Sequence, residues 1–512
     1  TGTLESTAVI SPTPSNTSQP TSTTTPIPTD IPAQAKVSST ETQLPTSPVL
    51  TSPLQSGLIV LALYEAGYSH LFAYQAMGTP FTRLTSGPWN DTHPALSPDG
   101  RWLAFVSNRS GPWDIYLLDL QNGEVSRLTD TQHFESSPSW SPDGNLIAYE
   151  RYAQDSEIII QSVFNDQTLI NLSEHPAADY QPSWSPLGRQ LAFISTRSGY
   201  ADVWMADFDK SDAQRFSNLS QTPEIDESYP VWSPQGNSLA WAAAQASNHS
   251  IYAWDAAAGS RFIGSGNWPA WSPDSSTILT SLEDANQTLL TAYRSADGRL
   301  ELPPIVLPGQ FAGLTWINQG LPSPMPQNLQ QIGAEVQSLP WLKSNPGNQA
   351  NLTHLAGVQA PFPELYGPAA DAFQALRTEV SSAAGWDFLG TLENAFVPLT
   401  APLPPGLGED WLYTGRAFAF DTLPMNAGWV VAVPEKFGHE IYWRIFIKAR
   451  FQNGSLGKPM RQVPWNFNAR FEGDPLLYEQ GGQNSGNVPA GFWVDFTELA
   501  LAFGWQRIPA LP

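Results

Sequence analysis

The sequence predicts a mainly β protein: a six-bladed β-propeller, preceded by an extended Ser/Thr/Pro-rich segment and followed by a small α+β domain. Three observations carry this. A tight turn recurs in register, at Ser97-Pro98-Asp99-Gly100, Ser141-Pro142-Asp143-Gly144, Ser185-Pro186-Leu187-Gly188, Ser233-Pro234-Gln235-Gly236 and Ser272-Pro273-Asp274-Ser275. Successive copies lie 44, 44, 48 and 39 residues apart, the period of a four-stranded propeller blade. Two leftover fragments are complementary: residues 313–316 offer one strand, while 58–64, 70–74 and 81–84 offer three.

The first 57 residues come first in order. Residues 11–51 are dominated by Thr, Ser and Pro, which cannot bury enough apolar surface to offset chain entropy and favour an extended stalk or tail. Leu4, Ala8 and Ile10 share one face if their stretch is extended. Such a tail can add a strand to a neighbour's sheet edge, and repetition of that head-to-tail contact builds a filament. Self-association through this segment is therefore the expected mode of assembly, with glycans on the Ser/Thr-rich part.

Composition narrows the partners. Acidic residues number 47 against 24 basic, for a net charge of −23, which repels nucleic acid and anionic membrane. The absence of cysteine excludes disulfides, thiolate metal sites and cysteine nucleophiles. No apolar run is long enough for a membrane span and no leader is recognisable. With the stalk, this predicts a mature chain at the cell surface or outside the cell.

Residues 58–320 form the propeller. In each turn proline presets φ, aspartate bonds its own backbone, and glycine takes a positive φ. The second strand is apolar, as in Leu191-Ala192-Phe193-Ile194. The third carries an aromatic, as in Asp114-Ile115-Tyr116-Leu117. Blades one to five start at Pro94, Pro138, Pro182, Pro230 and Pro269. The sixth is closed by a strand from each end of the region, which removes free sheet edges.

The pattern Pro-x-Trp-Ser-Pro-Asp-Gly-x-x-Leu-Ala-Phe, followed by Arg109-Ser110-Gly111 with Asp114-Ile115-Tyr116, or Arg197-Ser198-Gly199 with Asp202-Val203-Trp204, resembles the TolB-type (PD40, WD40-like) propeller repeat. The resemblance covers about half the chain; blades four to six depart from it, lacking the Asp or the Arg-Ser-Gly. It implies an exported scaffold that binds other proteins. The same repeat also occurs in prolyl-oligopeptidase-like enzymes, which need a Gly-x-Ser-x-Gly elbow that this sequence lacks.

Three residues before the first-strand proline stand Asp91, Glu135, Asp179 and Glu227, with Gly266 in blade five. At one mouth of the channel they would form a partial acidic ring for a basic segment or a divalent cation, with His93, Tyr180, Tyr229 and Trp268 beside it. Alternatively each carboxylate accepts local backbone hydrogen bonds in its own loop. No other cofactor is expected.

Residues 321–350 read as a linker and 351–512 as an α+β domain resembling no family. Pro368 opens a helix over 369–382, ended by Gly385. Strands are expected at 412–420, 429–433 and 441–451, and Asp495 with Glu498 caps a final short helix. The candidate carboxylates Asp387, Glu393, Asp410, Asp421 and Asp495 form no recognisable catalytic motif, and Trp386, Trp411 and Trp465 could stack on sugars. A non-catalytic exported structural or binding protein is the leading expectation. The alternative is a cell-envelope hydrolase with its active site in the C-terminal domain.

Overall fold

A computed structural model describes residues 56–510, except 66, 75–81, 165–167, 246–247, 286, 308–309, 331–350, 401–408 and 472. The tail with Leu4, Ala8 and Ile10, and most of the linker, lie outside the described residues. Residues 51–512 form one compact unit.

Six four-stranded antiparallel sheets follow one another. Blade one is Asp91–Leu96, Trp102–Ser107, Asp114–Asp119 and Val125–Arg127. The next four blades start at the inner strands Phe134–Trp140, Asp179–Trp184, Asp226–Trp232 and Asn267–Trp271. In the sixth, the inner strand Phe311–Ile317 pairs with Leu58–Glu65, which pairs in turn with Tyr68–Tyr74 and then Thr82–Arg83. The six inner strands touch in cyclic order, the last against the first. The expected closure from both ends is thus the observed one.

The repeated turn explains its own residues. In blade two, Gly144 stands at φ 72° and its N–H donates to the Ser141 carbonyl at 2.9 Å. The Ser141 hydroxyl donates to Asp143 at 2.5 Å and accepts from the Leu146 N–H at 2.9 Å, so one side chain satisfies both arms of the turn. The tryptophan ahead of the turn links blades: Trp140 donates its indole N–H to the Ala95 carbonyl of blade one at 3.0 Å, and Trp271 to Val231 of blade four at 3.0 Å.

Beyond the blades, the helix Gly367–Ala384 ends as expected at Gly385, φ 75°. It buries Phe373, Leu376 and Val380 against the sheet containing Val430–Phe437, Glu440–Lys448 and Phe492–Asp495. The Asp495 carboxylate accepts from the Glu498 N–H at the start of helix Phe496–Ala502, at 2.9 Å. One expectation fails. The strand over 412–420 is instead a short helix, Glu409–Tyr413, then a turn and the two-residue strand Ala419–Phe420. Gly415 makes the break at φ 65°, with the Arg416 N–H returning to the Trp411 carbonyl. The connection between the strands expected at 429–433 and 441–451 is also tighter than those bounds imply, since the first strand runs on to Phe437.

Candidate functional site: the capped channel mouth

Each inner strand enters its blade through the same device. The acid position comes first, and two residues later the backbone turns left-handed. His93, Ser137, Gln181, Tyr229 and Trp268 have φ between 49° and 53°, and Gly313 in blade six has φ 137°. The pairing register slips at this point in all six blades. Five non-glycine residues in a conformation that costs a β-carbon strain form a ring, one per blade. Three of the residues expected at the mouth meet within it. Tyr229 stacks on Trp268 at 3.7 Å, and His93 meets Trp268 edge-on at 5.2 Å. Tyr180 does not join them. It is buried between blades three and four.

The four carboxylates are placed differently from an open ring. Asp91, Glu135 and Asp179 are 0% exposed and Glu227 is 2% exposed. Asp91 accepts from Arg109 at 2.8 Å, Glu135 from Arg151 at 2.9 Å, and Asp179 from Arg197 at 2.7 Å. Each arginine also lies over at least one aromatic ring of its own blade: Arg109 over Phe105 and Tyr116, Arg151 over Tyr149, and Arg197 over Phe193, Trp204 and Phe216. These are clamps inside the blades, made by arginine side chains 16 to 18 residues on and not by the backbone of the acid's own loop. Glu227 has no arginine. It accepts from the Val203 N–H at 3.0 Å and the Thr222 hydroxyl at 2.6 Å, and burial pushes its pKa up to about 7. Burial likewise raises Asp179, against the pull of Ser195 and Arg197. One oxygen each of Asp91, Glu135 and Asp179 is buried with no hydrogen-bond partner among the described residues. Among those residues no three His, Asp or Glu side chains converge on a metal site.

The mouth itself is covered by the C-terminal domain, which sequence reasoning did not anticipate. Lys458 places its ammonium 4.3 Å from the Trp113 ring of blade one. Arg461 pairs with Glu150 of blade two, reaches Ser156 at 3.3 Å, and lies 4.0 Å over Tyr180 of blade three. The Gly491 N–H donates to the Tyr152 hydroxyl at 3.0 Å, and Phe492 packs edge-on against that ring. Arg507 donates to the Ala285 carbonyl of blade five at 2.8 Å while pairing with Glu435 at 2.6 Å. On blade six, Phe503 closes over Gly67. Burial beside the Glu498 carboxylate pushes the Tyr64 phenol well above its usual range. Leu58, Val60 and Tyr64 share one apolar core with Phe373, Ile445 and Phe496. Burial, with the cap's Lys458 and Arg461 nearby, holds His93 down at about 3, hence neutral. The basic residues at the mouth belong to the same chain, and among the described residues they contact Trp113, Glu150 and Tyr180 and not the four acids.

The fold and repeat define a six-bladed propeller of the repeat class named above. The TolB β-propeller domain model matches residues 29–170 and 155–318, and the chain belongs to that family. Among solved structures, TolB from Acinetobacter baumannii is 21% identical, with 52% of this chain and 68% of that chain covered at a TM-score of 0.47. A putative TolB from Agrobacterium tumefaciens is 17% identical, covering 51% and 90% at 0.39. Oligogalacturonate lyase from Vibrio parahaemolyticus is 12% identical, covering 51% and 80% at 0.36. Among the described residues no helix is long and apolar enough to cross a membrane.

Proposed function

We propose that this chain is a non-catalytic exported protein of the cell surface, a structural or protein-binding platform that uses no cofactor. The observation that carries the proposal is the use made of the repeat's charged groups. The acids and arginines that a channel-mouth site would need are spent on clamps within the blades, and the mouth is filled by the chain's own cap. The rim of the propeller is open to a partner. Its outer strands carry exposed apolar residues, including Leu169 and Ile170 on Leu169–Asn171. An unpaired edge of this kind accepts an added strand.

The finer form of the proposal is self-association: the segment with Leu4, Ala8 and Ile10 pairs with a rim strand of the next copy and builds a filament. Deletion of residues 1–40, followed by light scattering and negative-stain microscopy, tests it. The proposal expects assemblies from the full chain and monomers from the deletion. Equal assembly of both would contradict it.

One observation favours a second reading, an envelope hydrolase. The C-terminal domain holds a groove lined by Asp387 and Asp421. Both carboxylates, however, already have structural work. Asp387 accepts three hydrogen bonds from Arg377, at 2.6, 2.9 and 3.1 Å, and Asp421 accepts from the Leu423 N–H at 2.9 Å. That supports binding over bond cleavage, since a general acid must be free to exchange its proton.

A further inference from the structure

The same groove has a volume of about 520 Å³, within the ordinary range for small-ligand clefts. Its wall is built by three segments. Trp386 follows the Gly385 helix stop, and its indole N–H donates to the Lys448 carbonyl at 2.9 Å, which fixes the ring. Trp429 sits where the short helix Leu423–Asn426 gives way to the strand Val430–Phe437. Its N–H donates to the Pro424 carbonyl at 2.9 Å, and its own carbonyl accepts from the Lys448 N–H at 2.8 Å. The two indoles stand 5.8 Å apart at 77°, so they form a corner and not a stack. Trp429 remains 41% exposed.

The polar groups are few and held in place. Asp387 is locked by Arg377, whose guanidinium also donates to the Ala356 and Gly357 carbonyls. Asp421 is fixed by the Leu423 N–H, and Thr391 and Arg450 complete the lining. Of the lining charges, Asp387 is neutralised by Arg377 from behind the wall, which leaves Asp421 and Arg450, so formal charge at the groove balances. A cation or an anion gains little from such a site, and a purely apolar ligand would strand its rigid acceptors and donors. A ring with one apolar face and a rim of hydroxyls satisfies both halves. The apolar face covers an indole, and the hydroxyls reach the fixed carboxylates, with the exposed Arg450 beside them.

We propose that this groove is a binding site for a neutral pyranose oligosaccharide, with Trp429 as the stacking platform and Asp421 and Asp387 as hydroxyl acceptors. This is independent of the assembly proposal, because neither the tail nor the rim takes part. The test titrates the full-length protein with chito-, cello- and manno-oligosaccharides, read by calorimetry and tryptophan fluorescence. At least one series binds and perturbs the indole emission. Trp429→Ala weakens it about tenfold or more, Asp421→Asn weakens it less, and Trp411→Ala, outside the lining, leaves it unchanged. Leu423→Arg, at an exposed position of the lining, blocks the groove without touching the core, so a folding defect in the tryptophan variant does not leave the question open. Absence of binding to all three series at millimolar concentration overturns the proposal. So does binding that Trp429→Ala and Leu423→Arg leave intact. Turnover of a bound sugar supports the site and overturns the non-catalytic reading instead.

Discussion

Blades one to three and blades four to six share a backbone plan but differ at one position. In the first three, a fully buried carboxylate meets an arginine of the same blade. In blade four the carboxylate survives without the arginine. In blade five Gly266 replaces it, with the Thr280 hydroxyl already standing where a β-carbon would go. In blade six Phe311 takes its place and packs on Trp268 at 5.8 Å, while Glu65 with Arg83 and His70 forms a buried cluster elsewhere. The left-handed turn two residues on is kept in all six. The charged motif is therefore one of several ways to fill a gap behind a turn that the propeller geometry requires.

The largest effect tests the common plan. Removing residues 58–85 takes away three of the four strands of blade six and leaves Phe311–Ile317 unpaired, so the whole propeller loses its closure. Far-ultraviolet circular dichroism should show cooperative loss of β structure. A truncated chain as stable as the parent would contradict the closure.

Next in size is the clamp. Asp179→Ala strands Arg197, whose side chain is only 9% exposed, and costs about 3–5 kcal/mol in denaturant unfolding. Replacing both by apolar residues of similar volume, Asp179→Leu with Arg197→Met, recovers most of that loss. Thr222→Ala in blade four removes one donor from Glu227 and costs about 1–3 kcal/mol. If the single clamp variant costs no more than the blade-four variant, the two groups of blades do not differ as described.

Blade four also sets a pH signature. With a folded pKa near 7 against an ordinary 4.5, Glu227 holds its proton more tightly in the native state. Stability from this group is complete below pH 4.5 and falls as pH rises through the window from 4.5 to 7. The loss is on the order of 3–4 kcal/mol, from about 1.4 kcal/mol per unit. Glu227→Gln should remove that slope from unfolding free energies measured across the window. An unchanged slope would show that Glu227 titrates normally.

The blades were legible because their information is local and repeated. Serine, proline and glycine at fixed offsets specify a turn whatever surrounds it, and repetition in register turned a weak signal into a fold. The Gly385 stop and the Asp495–Glu498 cap were readable for the same reason. The left-handed ring left only a faint trace, the residue before proline, which is steered out of the right-handed helical region. The failed strand at 412–420 shows the converse, because Leu412 and Tyr413 fit a strand or a short helix equally well and Gly415 decided it. The acids were found by their common offset, but offset does not report burial. Their arginine partners lie 16 to 18 residues on, within the same repeat, and Arg109 and Arg197 in the quoted motif were the available signal. The cap was beyond reach. Arg461 meets Glu150 across 311 residues of chain, and nothing in either neighbourhood names the other.

That contact is also the one on which the capped mouth most directly depends. If the C-terminal domain caps the channel mouth, Glu150 and Arg461 must be energetically coupled. A double-mutant cycle with Glu150→Gln, Arg461→Met and the double variant, read by urea unfolding, measures the coupling directly. The capped mouth predicts an interaction of about 1 kcal/mol or more, because Glu150 is only 1% exposed and has its partner in the cap. Strict additivity of the two single losses would contradict the capped mouth.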